Sequence, residues 1–165
     1  MKAKEKAKEE LDKTKKKAEE KKKTAYHEAG HALLASVLKY ADPVHKVSII
    51  ARGSAGGYTL KLPIEEKRLP TKKEFLDDIV VALGGYVAEE IIYGDISTGP
   101  SNDLQVSTAL ARDMVTKYGM SEKFGPIALE GAGGRATYGR GINDKEYSDK
   151  VGSEIDAEVG RIMNE

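Results

Sequence analysis

The chain has 165 residues, 39% hydrophobic and 33% charged, which suits one globular domain with its own core. Its 27 basic and 27 acidic residues cancel, but residues 1–23 hold eleven Lys against six acids, so the remainder is mildly acidic and has no basic stripe for nucleic acid. No Cys is present, which excludes thiol catalysis, disulfides and cysteine-ligated metal; no apolar run approaches the roughly 20 residues of a membrane span, and without the apolar core of a signal peptide a cytoplasmic location is expected.

Residues 1–23 are low-complexity Lys/Glu sequence built from strong helix formers, with only Ala3, Ala7, Leu11 and Ala18 as an apolar trace. They read as a solvated helix or leader, a linker to a domain occupying residues 24–165. From Thr24 onward Ala25, Ala29, Ala32, Leu33, Ser36 and Val37 recur at helical spacing, which predicts a first domain helix from Thr24 to about Tyr40. Two short strands follow, Val44 to Ala51 and Gly57 to Leu62, joined by a Gly/Ser loop and closed by Pro63. Pro70 and Thr71 start a long second helix that Gly94 stops. A third is predicted from Asp103 to Gly119. The glycine-rich EGAGGRATYGRG, residues 130–141, lacks the Gly-Lys-Ser/Thr of a phosphate-binding loop and reads as a flexible connection. Val151, Ile155, Val159 and Ile162 mark a final amphipathic helix. The expected fold class is mainly α, an α+β arrangement with a small β-hairpin after the first helix.

That first helix carries YHEAGHA, with His27 and His31 four residues apart and Glu28 beside the first. Positions four apart on a helix differ by about 40° and stand one turn above each other, so both imidazoles can reach one metal ion. Glu28, one step around, is placed to take a proton from a water at the metal's open position. This is the pattern of a zinc hydrolase. The motif arises by chance in well under about 1% of chains this long. Gly30 adds weight, because glycine in a helix interior costs about 1 kcal/mol relative to alanine and calls for a close neighbour.

A catalytic zinc takes three protein ligands and keeps one position open. The third ligand must come from elsewhere, and His45, Glu89, Glu90 and Asp103 are the candidates. His45 opens a strand, where a half-exposed sheet residue is the ordinary reading. Of Glu89 and Glu90, one should face the core and the other solvent; a buried carboxylate needs a partner, and a metal-bound imidazole is a natural one. Asp103 opens a helix and reads equally as a first-turn acid. Local spacing does not choose among them.

From Thr24 to Glu165 the sequence resembles the protease domain of the FtsH family, membrane-anchored AAA+ zinc metalloproteases. The resemblance rests on TAYHEAGHA, DPVHKVSII, GGYTLKLP, ALGGYVAEEIIYG, STGPSNDL, ARDMVTKYGMSEKFGP and YSDKVGSEIDAEV, in the family's order. It implies Zn2+ as cofactor, Asp103 of the SND segment as third ligand beside His27 and His31, Glu28 as general base, and Glu89 as partner to a histidine. It also implies an extended substrate lying beside a sheet edge, here Gly57, Tyr58, Thr59 and Leu60, bound through backbone hydrogen bonds that are indifferent to sequence. The family's membrane segments and ATPase motifs are not found in the chain, and the C-terminal helical region reads as shortened. The resulting expectation is a zinc endopeptidase domain acting on unfolded polypeptides, with an ATPase module and a homo-hexamer implied by the family. The rival reading is a non-catalytic assembly module braced by zinc; a retained Glu28 argues against it, because a structural site has no use for a base.

Overall fold

In the computed structural model the described residues are 2–50, 56–62, 69–130 and 147–165. The Gly/Ser connection between the strands, Pro63 and nearly all of the glycine-rich segment lie outside them. The described residues form four helices and one two-stranded antiparallel sheet, a mainly helical fold with a small β component.

Helix α1 runs Lys2–Val37. The helix expected from Thr24 to Tyr40 is therefore the C-terminal part of one continuous element and ends three residues sooner. No proline falls between Lys2 and Val37, and the weaker helix formers Thr14, Thr24 and Ser36 turn their hydroxyls onto the carbonyls of Glu10, Glu20 and Ala32, so helix formed around His27 propagates back through the Lys/Glu run. Residues 4–22 are exposed along their whole length. Their pairing is of the surface kind, such as Glu9 with Lys13 at 2.6 Å, a contact that adds a few tenths of a kcal/mol at most, roughly.

Strands β1 (Val44–Ser48) and β2 (Tyr58–Lys61) are both shorter than the sequence suggests. Val47 pairs with Thr59 and Ser48 with Tyr58, while an irregularity between Val44 and Lys46 leaves His45 out of register. Among the described residues no third strand joins the sheet, so β2 keeps one edge unpaired. The Lys61 ammonium reaches Asp78 at 3.0 Å and ties β2 to the next helix.

Helix α2 (Lys72–Tyr93) begins and ends where its signals place it. Thr71 and Glu74 form a reciprocal capping box, and Gly94 closes the last turn in the left-handed region at φ 62°. Helix α3 (Ser101–Thr116) starts two residues before the expected Asp103, because Pro100, at φ −69°, already carries helix-compatible backbone into its first turn. Helix α4 (Asp149–Asn164) is capped by Ser148, whose hydroxyl accepts from the Val151 amide.

The core lies between α2, α3 and α4, where Ile79 meets Ala111, Met114 and Val115 and the stripe Ile155, Val159 and Ile162. Helix α1 packs on the other part of α2 through glycine. A Cβ at Gly30 would stand 2.2 Å from the Gly84 carbonyl oxygen, and one at Gly84 would stand 2.8 Å from the Gly30 backbone. The two helices touch backbone to backbone, which fixes α1 against α2 and supplies the close neighbour that Gly30 called for. No helix among the described residues is long and apolar enough to cross a membrane.

Candidate metal centre

Three side chains converge where α1, α2 and the start of α3 meet. His27 and His31 come from successive turns of α1, and their Nε2 atoms lie 3.0 Å apart. Asp103, in the first turn of α3, places Oδ2 at 3.2 Å from His27 Nε2 and 3.5 Å from His31 Nε2. Of the described residues, this is the His/Asp/Glu group with donor atoms close enough to share a metal ion.

The spacing can be tested against an ion. Ligand bonds of about 2.0–2.1 Å in a tetrahedron put neighbouring donor atoms about 3.3 Å apart. The three separations fall around that value, so the donors outline one face of a zinc-sized tetrahedron. Tautomers agree with the geometry. His31 Nδ1 lies 2.7 Å from the Val81 carbonyl oxygen, which can only accept, so Nδ1 is the donor and the neutral ring in this tautomer offers Nε2 to a metal. His27 Nδ1 lies 3.0 Å from Glu89 Oε1, an acceptor that favours the same tautomer.

Glu89 is buried at 2% exposure, whereas Glu90 faces solvent. The second oxygen of Glu89 accepts from the Ser97 amide at 2.9 Å, so one carboxylate links α1 to the loop that feeds α3. That loop delivers Asp103. Burial pushes the Glu89 carboxyl up, but the hydrogen bonds from Ser97 and His27 outweigh it and hold the group below its ordinary value. Asp103 follows the same pattern more strongly: burial opposes ionisation, and contacts with His27 and His31 pull it well below the usual carboxylate range. Burial would lower His27, yet Asp103 and Glu89 together raise it above the ordinary imidazole value. Two carboxylates set against the imidazoles make a group that could hold a cation.

Glu28 lies on the neighbouring face of α1, buried at 5% exposure and turned toward β2. Thr59 donates its hydroxyl to Glu28 Oε2 at 2.7 Å, and also stands 3.3 Å from the Glu28 carbonyl oxygen. Gly57, just before β2, lies against the other oxygen: a Cβ there would be 2.9 Å from Glu28 Oε1. His45 remains exposed on β1, away from the cluster.

Gly85 also shapes the site. A Cβ at this position would fall 2.3–2.5 Å from the His27 ring, so only glycine leaves space for that imidazole. The signal was present in ALGGYVAEE, where two adjacent glycines inside a long helix call for the same explanation as Gly30. The Val81 carbonyl and the Thr59 contact with Glu28 are tertiary and leave no local trace.

Residues 14–165 match the model of peptidase family M41. The chain is 52% identical over 148 residues to the ATP-dependent zinc metalloprotease FtsH of Alkalihalophilus pseudofirmus, covering 88% of this chain and 22% of that protein. It is 52% identical over 143 residues to the protein of the same name from Bacillus subtilis, covering 86% and 22%. A third relative, ATP-dependent zinc metalloprotease FtsH 1 of Sphaerobacter thermophilus, is 52% identical over 146 residues, with 88% and 22% covered. The chain thus spans about a fifth of the length of the curated relatives it matches. With the match covering residues 14–165 and so reaching every helix and strand of the described residues, the chain belongs to peptidase family M41.

Proposed function

We propose that this chain is a zinc-dependent endopeptidase domain in which His27, His31 and Asp103 hold the ion and Glu28 is the general base. The observation that carries the proposal is the triangle of donor atoms at 3.0, 3.2 and 3.5 Å, with Nδ1 of each imidazole already engaged. When bound, zinc would supply Lewis acidity, lowering the pKa of a coordinated water toward neutrality and polarising a carbonyl oxygen.

The chain's own groups do the rest. Glu28 accepts the proton of the attacking water and returns it to the leaving amine, work for which a carboxylate beside the cluster is suited. Glu89 holds the His27 ring in the orientation that points Nε2 at the cluster. The open edge of β2, with Tyr58, Thr59 and Leu60 and with Gly57 just before them, offers an extended polypeptide a strand to pair with. Because backbone pairing reads no side chains, sequence selectivity should be broad. An edge strand admits extended chain only, so the substrates are unfolded polypeptides. The relatives' names include ATP dependence, and an ATPase module and a homo-hexameric ring acting with this domain complete the proposed working unit.

Glu28→Gln tests the assignment. Zinc content should stay near one ion per chain while cleavage of casein falls by at least about a hundredfold, the scale of a lost general base. A variant that cleaves as well as the parent would remove Glu28 from the mechanism. A parent that binds zinc yet cleaves nothing, with or without an ATPase partner, would favour the zinc-braced assembly module.

A further inference from the structure

The carboxylate assigned as the base is not free to choose its direction. Glu28 is buried on α1, and a carboxylate taken out of water is costly unless something donates to it. Among the described residues, the hydrogen-bond donor to its side chain is the Thr59 hydroxyl, at 2.7 Å on Oε2. The opposite oxygen lies where a Cβ on residue 57 would intrude, at 2.9 Å. Residues 57 and 59 are two apart on an extended segment, so both face the same side of the sheet, toward α1. One contributes room and the other a donor. Thr59 is itself fixed by its pairing with Val47 in β1, and Lys61 next along is anchored to Asp78 of α2.

We infer that Thr59 is a positioning residue, whose hydroxyl aims the Glu28 carboxylate so that β2 both lines the substrate path and sets the base. The inference rests on the proposed role of Glu28 as general base. It predicts a link between two parts of the site that are otherwise independent: whatever moves β2 also moves the base. Valine at position 59 keeps the shape and the β-branch but loses the donor, while serine keeps the donor and loses a methyl group.

The test uses the full 165-residue chain, loaded with zinc and given an unstructured peptide. Thr59→Val should lower kcat by about tenfold or more with KM within about twofold, because misaimed catalytic groups cost rate and not affinity. Thr59→Ser should restore at least about a third of the parental kcat. Equal losses in the valine and serine variants, or no loss in either, overturn the inference. A second readout needs no metal and no turnover. In the zinc-free chain Thr59→Val should lower the melting temperature by about 4 °C in the parent, and by less than about half of that in a Glu28→Ala background, where no carboxylate is left without its donor. Equal shifts in both backgrounds overturn it. Glu28→Gln run alongside separates the two ideas: if that variant cleaves normally, the base assignment itself has failed, whereas loss in Glu28→Gln with full activity in Thr59→Val removes only the role of Thr59.

Discussion

At the scale of single residues, the site is shaped as much by what supports the donors as by the donors. Glu89 touches His27 with one oxygen and the Ser97 amide with the other, so it orients one proposed ligand and steadies the loop that delivers another. Glu89→Gln should therefore weaken zinc binding by roughly 10–100-fold in competition with a chromophoric chelator, although the residue touches no metal. An unchanged affinity would reduce Glu89 to a structural acid. Asp103→Ala should have a larger effect, with zinc lost on gentle dialysis while His27 and His31 remain in place. Retention of one zinc per chain would hand the third position to another group. The pair His27 and His31, with Glu28, was legible from four-residue spacing on one helix. The preference for Asp103 over His45, Glu89 or Glu90 was legible only through the family resemblance, because it depends on how α3 is laid against α1, which no local pattern encodes.

At the scale of elements, glycine decides how α1 and α2 meet. Alanine is the better helix former by about 1 kcal/mol, so on propensity alone Gly30→Ala would stabilise α1. The Gly84 carbonyl at 2.2 Å from the added methyl reverses that sign. Gly30→Ala should lower the unfolding free energy by about 1–3 kcal/mol in urea titration, the range for overpacking a fixed contact; a gain in stability would mean that the helices part without loss. A separate pH dependence belongs to α4. The Glu158 carboxyl is buried, and hydrogen bonds from Arg161 and from Ser121 outweigh that burial and hold it below its ordinary value. A lowered folded pKa contributes stability above the unfolded value and loses it as pH falls through the folded one. Glu158→Gln should then cost about 1–2 kcal/mol at pH 7, and parent and variant should converge as pH falls below the ordinary glutamate range. A difference constant with pH would show that the carboxylate charge is not what matters. The ends of α2 were readable because Thr71, Glu74 and Gly94 are local signals. The start of α1 was not, since a Lys/Glu run fits a solvated helix and a frayed leader equally until a folded segment nucleates it.

At the scale of the whole molecule, the chain divides its work between a buried helical core and a site at its margin. The core of α2, α3 and α4 holds α3 in register, and α3 carries Asp103 to α1. Residues 4–22 of α1 are exposed and add length but little burial: removing residues 1–13 should shift the melting temperature by no more than about 2 °C. A larger drop would reveal packing that its exposure does not suggest. The mainly helical class and the hairpin were legible from period and turn signals; the crossing of α1 on α2 and the approach of β2 to Glu28 were not, because both are contacts between segments distant in sequence. Two imidazoles and one distant carboxylate are proposed to form a single zinc site. The most direct test is a crystal structure of the zinc-loaded chain with anomalous scattering collected at the zinc edge. One strong peak is expected about 2.0–2.2 Å from His27 Nε2, His31 Nε2 and an Asp103 oxygen. A peak elsewhere, or one on the two histidines with Asp103 turned away, would contradict it.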